Sequence, residues 1–128
     1  MTNKFRNCPK PVVRDKLTVP AGDYIEFDVA VVNTGGAPYD LTGATVTFYA
    51  ANSLDNPTVT LLKDNAGTGG VIVMDPTNGR ARVVLESADT LIMGADGGFM
   101  FYEIKVEDAS LRLFTVASGS ILFVNDLL

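Results

Sequence analysis

From Leu17 onward, apolar and polar residues alternate with a period of two, the pattern of strands that bury one face and wet the other. The clearest run begins at Tyr24: Ile25, Phe27, Val29 and Val31 share one face, and Glu26 and Asp28 lie on the opposite one. Leu41, Ala44, Val46, Phe48 and Ala50 form a second inward set, with Thr45, Thr47 and Tyr49 directed outward. Residues 58–63, 71–74 and 81–86 continue the rhythm, and Asp75-Pro76-Thr77-Asn78-Gly79 carries the Pro and Asn-Gly signals of a hairpin turn between the last two. Met100, Tyr102, Ile104 and Val106 alternate with Glu103, Lys105 and Glu107, after which Asp108-Ala109-Ser110 turns the chain into residues 111–117. Ser118-Gly119-Ser120 ahead of 121–124 predicts a bulge at which the glycine lets the strand bend.

Residues 20–23, 33–38, 52–57 and 64–70 break the alternation and read as turns or loops. Residues 87–93 allow a single helical turn capped by Ser87, halted by the Gly-rich 94–98, so a connector is expected and no amphipathic helix. Seven or eight short strands at this spacing predict an all-β, antiparallel β-sandwich.

The chain of 128 residues fits one domain, and 47% hydrophobic residues with a mean hydropathy of +0.22 supply a core. With no His and one Cys there is no Ser-His-Asp or Cys-His pair, no His-ligated zinc and no internal disulfide. The lone Cys8 points to a reducing compartment. The opening residues lack the apolar run of a secretory signal, so export by that route is not expected. No stretch reaches the roughly 20 apolar residues of a membrane span, so no membrane partner is expected.

Charge divides the chain. Lys4, Arg6, Lys10, Arg14 and Lys16 against Asp15 give the first sixteen residues a net +4, which leaves −9 on the remainder of a chain at −5 overall. Pro9 and Pro11 disfavour helix and central strand, so residues 1–15 read as an extended basic arm and 16–128 as the sandwich domain. Such an arm can lie on the acidic surface of a neighbouring subunit, with Lys4, Arg6, Lys10 and Arg14 pairing charge and Phe5, Val12 and Val13 buried; the alternative is a solvated terminus. Nucleic acid is a poor partner for a body at −9. Phe99 and Phe101 fall opposite Met100 and Tyr102, placing two rings where a sandwich normally shows polar residues. They form an interface patch, or the 87–98 loop covers them, or they begin the strand beneath the rim of the sandwich.

Asp64, Asp75, Asp96 and Asp108 raise the question of calcium, but none has the spacing of a binding loop, and they read as turn formers. Gly67-Thr68-Gly69-Gly70 lacks the Gly-Lys-Ser/Thr of a phosphate cradle and reads as a flexible loop. Glu86, Glu103 and Glu107 occupy outward strand positions, where carboxylates serve solubility. No catalytic residue, metal or cofactor is therefore expected, and the chain reads as non-enzymatic.

The stretch Asp40-Leu41-Thr42-Gly43-Ala44-Thr45-Val46-Thr47-Phe48 resembles a signature of the immunoglobulin-like domain at the N-terminus of phage baseplate upper proteins and of related small tail proteins. Gly98 to Val106, the Asp-Ala-Ser turn and a closing strand carrying Ser118-Gly119 are similar in layout to that family's final hairpin. The likeness runs from about residue 16 to 125 and departs where the family's Gly-x-Tyr reads Gly98-Phe99-Met100. The resemblance implies an immunoglobulin-like sandwich of about seven strands. It also implies a structural component of a tailed-phage virion, in the baseplate, tail, neck or head, made in the host cytoplasm. Its partners would be other virion proteins and copies of itself. The alternative is a carbohydrate- or receptor-binding sandwich module, for which exposed loop aromatics would speak; Tyr39 is the ring placed clearly in a turn.

Overall fold

A computed structural model describes residues 12–13, 17–53, 59–95 and 99–124. Lys4, Phe5, Arg6, Cys8, Lys10, Arg14 and Asp96 lie outside the described residues. The elements run β1 (Val12–Val13), β2 (Leu17–Pro20), β3 (Ile25–Ala30), β4 (Thr45–Ala51), β5 (Val59–Asp64), β6 (Val71–Asp75), β7 (Arg80–Leu85), α1 (Ser87–Gly94), β8 (Phe99–Glu107) and β9 (Leu113–Val124). They form two sheets, one ordered β1-β9-β8-β4-β5 with β2 also on β9, the other β3-β7-β6. The protein is an all-β sandwich. Its order, β3-β7-β6 facing β9-β8-β4-β5, is that of strands B-E-D facing G-F-C-C′ in immunoglobulin-type sandwiches.

Neighbouring strands are antiparallel except at one edge, where β1 and β2 both run parallel to β9. Val12 and Val13 pair in backbone register with Ala117 and Ser118 of their own chain, which makes β1 an edge strand of the larger sheet.

The inward rows are those the alternation predicts. Val46, Phe48 and Ala50 of β4 are buried against Met100, Tyr102, Ile104 and Val106 of β8 and Ala81, Val83 and Leu85 of β7. At the centre Phe48 stacks on Tyr102 at 5.9 Å, and Phe27 meets Phe48 edge-on, also at 5.9 Å. Each such side chain removed from water stabilises the fold by about 1.5–3 kcal/mol.

Two expectations require correction. The last strand is unbroken through Ser118-Gly119-Ser120, and its bulge lies earlier. Ile104 pairs with Ala117 but Lys105 with Thr115, leaving Val116 as the extra residue, and Val116 and Ala117 are consecutively buried. The bulge is needed because Phe114 and Val116 are even-numbered while Ile121 and Phe123 are odd, and both sets must face the core.

The connector at 87–93 is an eight-residue helix with Glu86, not Ser87, in the N-cap position. So short a helix is marginal alone. Tertiary bonds hold it. Asp89 accepts the Glu86 backbone N–H at 2.8 Å and pairs with Lys63 of β5 at 3.0 Å. The Thr90 hydroxyl accepts from Gly22 N–H at 3.0 Å and donates to the Asp23 carbonyl at 2.8 Å, fastening α1 to the β2–β3 turn. Glu86 is therefore a helix-capping position rather than an outward strand residue. No helix among the described residues is long and apolar enough to cross a membrane.

Candidate interaction surface

Because side chains alternate along a strand, burial of Met100 and Tyr102 forces Phe99 and Phe101 onto the outer face of the larger sheet. Phe99 is 46% exposed, Phe101 is half-buried, and their rings meet edge-to-face at 5.1 Å. Register decides what lies beside them. Phe99 pairs with Leu122, Phe101 with Ala51 on one side and Ser120 on the other, and Glu103 with Tyr49 and Ser118. A register shift between Ala50 and Ala51 brings Val59 opposite Ala51, while Leu62 stands opposite Tyr49. Val59 is 51% exposed, and Leu62 is exposed as well.

Part of this face is a shallow groove of about 250 Å³ lined by Tyr49, Ala51, Val59, Phe101, Glu103 and Lys105, among others. Lys105 sits 3.5 Å from the Glu103 carboxylate and donates to the Thr115 hydroxyl at 2.8 Å. Among the described residues, the acid and the base of the groove are thus engaged with each other, and the rest of the wall is largely apolar. Such a surface binds by excluding water.

The smaller sheet presents a different outer face. Arg82 Nε lies 2.7 Å from Asp28 Oδ1 and Nη1 lies 3.6 Å from Glu26 Oε1, and the guanidinium holds the Asp28 carboxyl below its ordinary range. Ile72 and Met74 on β6 flank this charged cluster and are half-exposed.

Tyr39, expected as an exposed loop ring, is buried, and its hydroxyl donates to Asp108 Oδ2 at 3.2 Å. Asp108 also accepts the backbone N–H groups of Ser110 and Arg112, each at 2.9 Å, and Arg112 Nε at 2.8 Å. Its carboxyl is held below the usual value first by the Arg112 amide and then by the Arg112 side chain, against the opposing effect of burial. Asp64 accepts from Ala66, Thr68 and Gly69 amides, and Asp75 from Asn78, which are the bonds of turn formers. Among the described residues, no three acids or cysteines gather as a metal site would require.

The structure adds one feature that alternation does not reveal. Leu111, at the tip of the β8–β9 hairpin, has a φ of 65° and is 77% exposed. Its amide donates to the Asp108 carbonyl at 2.9 Å, closing the turn. No family model matches the chain, and no curated protein matches it.

Proposed function

We infer that the chain is a non-enzymatic structural subunit that attaches to neighbouring subunits through its N-terminal arm and the outer face of its larger sheet. The observation that carries this is the solvent-facing apolar surface of Phe99, Phe101, Val59 and Leu62 on a sheet whose other face is core. Apolar surface of this kind marks protein contact, and the paired Glu103 and Lys105 offer no free acid–base couple for catalysis. The resemblance of Asp40 to Phe48 to the domain in baseplate upper proteins supports a tailed-phage virion as the assembly, with other virion proteins and further copies of this chain as partners. The immunoglobulin-type strand order is compatible with that assignment.

Cross-linking mass spectrometry on purified particles tests it, taking Lys4, Lys10 and Lys16 as the reactive amines. Cross-links to particle proteins or to other copies are expected. A chain absent from particles that binds a glycan on an array instead would overturn the structural reading in favour of a carbohydrate-binding module, with Tyr49 and Phe101 as the rings available in the groove.

A further inference from the structure

The turn at the tip of the β8–β9 hairpin imposes a conformation that its apex residue resists. Leu111 holds a φ of 65°, a region that glycine enters freely and leucine only at a cost. Bracing from below sustains that cost. Asp108 is buried and accepts the Ser110 and Arg112 amides, Arg112 Nε and the Tyr39 hydroxyl. The Arg112 guanidinium also lies 5.8 Å from the centre of the Phe114 ring, and Phe114 meets Tyr39 edge-on at 6.3 Å, which closes a ring of four side chains under the turn. Backbone strain persists where the surrounding structure over-determines it, and it gathers where a contact is held ready.

The hydrogen bonds of the turn make no use of the leucine side chain, and glycine at 111 would close them without strain. Leu111 and Leu113 are both exposed, so two apolar side chains stand at a braced tip. Such a tip gains affinity on entering a pocket, because little ordering is left to be done. The charges beside it define the rim of that pocket. Glu107, opposite Leu113 in the β8–β9 ladder, is exposed and enters none of the ion pairs among the described residues. The 40–44 turn adjoins the hairpin, since a Cβ on Gly43 would lie 3.4 Å from that of Ala109, and there Asp40 is exposed with its carboxylate accepting from Thr42. Acids flanking an apolar prong call for bases around the pocket and disfavour an anionic membrane. A second copy fits poorly: of the described bases, Lys63, Arg82, Lys105 and Arg112 each already pair with a carboxylate, which leaves Arg80.

We propose that the β8–β9 tip is a docking prong, with Leu111 and Leu113 entering an apolar pocket on a different protein of the assembly and lysine or arginine at the pocket rim meeting Glu107 and Asp40. The proposal rests on the subunit reading above and adds a contact separate from the arm and the outer face of the larger sheet.

Leu111→Gly separates contact from fold, because it relieves the strain while removing the side chain. Full-length variant and unmodified chain are produced together in cells that assemble the particle, and mass spectrometry compares their ratio in purified particles with that in the cell extract. The variant should melt no lower than the unmodified chain yet be depleted from particles about tenfold, whereas Leu111→Met, which keeps an apolar side chain, should enter normally. With p-benzoylphenylalanine at position 111, irradiated particles should give cross-links to another particle protein at a peptide carrying lysine or arginine. Equal occupancy of Leu111→Gly, or cross-links confined to copies of this chain, overturns the prong and leaves the subunit reading standing. Binding of the unmodified chain, but not of Leu111→Gly, to phosphatidylglycerol–phosphatidylcholine vesicles assigns the tip to lipid and likewise overturns the prong alone. Absence of the unmodified chain from particles overturns both.

Discussion

Replacing Gly79 with Ala should cost far more than the same change at Gly36, and the difference measures how tightly the two sheets are joined at one end. Both glycines are left-handed, with φ of 69° and 89°. At Gly36 an added Cβ meets nothing within 4 Å, so the cost is conformational alone, about 1–2 kcal/mol. At Gly79 the Cβ would run into the Val31 carbonyl oxygen and come within 2.7 Å of the Tyr39 oxygen. Neither can retreat cheaply. Val31 N–H donates to the Gly79 carbonyl at 2.8 Å, and Tyr39 N–H donates to the Val31 carbonyl at 2.9 Å, so moving one atom disturbs the bonds that stitch the β6–β7 turn to the β3–β4 connection. Overpacking against a fixed backbone adds about 1–3 kcal/mol, for a total of about 2–5 kcal/mol at Gly79. With a urea m-value of about 2 kcal/mol/M, Gly79→Ala should lower the unfolding midpoint by roughly 0.5–1.5 M more than Gly36→Ala. Equilibrium urea titrations of both variants beside the unmodified protein supply the comparison. Equal midpoints for the two variants would refute the reasoning, because they would mean that the close approach at Gly79 has no energetic content.

Three further outcomes are expected. Thr90→Val keeps the shape of a fully buried side chain but strands the Gly22 N–H and the Asp23 carbonyl, so it should lose about 1–3 kcal/mol in urea unfolding, with the loss concentrated in faster amide exchange of α1. Leu111→Gly relieves about 1–2 kcal/mol of left-handed strain against roughly 0.5–1 kcal/mol of added chain entropy and gives up little burial, so the melting temperature should rise by about 2–4 °C; a fall would show that Leu111 packs in solution. Asp108 has a folded pKa below its ordinary 3.8, so its carboxylate contributes stability that is fully present above that value and is lost as pH falls through the lower, folded one. The stability gap between the unmodified protein and Asp108→Asn should accordingly be widest near neutral pH and shrink below about pH 4.

The faces of β3, β4 and β8 were legible because alternation is a local property: once Phe48 and Tyr102 are core, their neighbours' directions follow. What was not legible depends on residues far apart in the chain. Tyr39 reads as an exposed turn ring until Asp108, 69 residues later, supplies a buried acceptor for its hydroxyl. The helix α1 reads as a single turn because its intrinsic propensity supports little more; Lys63, Gly22 and Asp23 supply the rest, and no local pattern names them. The strain at Leu111 is likewise invisible, since a leucine carries no signal for positive φ. The bulge in β9 differs from these. The change of parity from Phe114 and Val116 to Ile121 and Phe123 demands one inserted residue, but Ser118-Gly119-Ser120 looked like the more natural place for it. Gly119 instead takes an ordinary ladder position opposite Tyr102.

The same division explains the interaction surface. Phe99 and Phe101 could be assigned outward from their own strand, but a pair of rings does not make a groove. Its other wall comes from β5, whose sequence Val59-Thr60-Leu61-Leu62-Lys63-Asp64 has two adjacent leucines and therefore does not say which one faces out. Pairing with β4 settles it: Leu62 stands opposite outward Tyr49, and Leu61 opposite buried Ala50. The shift between Ala50 and Ala51 then skips a residue of β5, so that Val59 rather than Thr60 faces Ala51 and the wall stays apolar. Without that shift the position would be filled by a threonine hydroxyl. The Val59 wall of the groove is thus a product of strand register, and a change that removed the β4–β5 irregularity would put Thr60 in its place while leaving the core rows of β4 and β8 where they are.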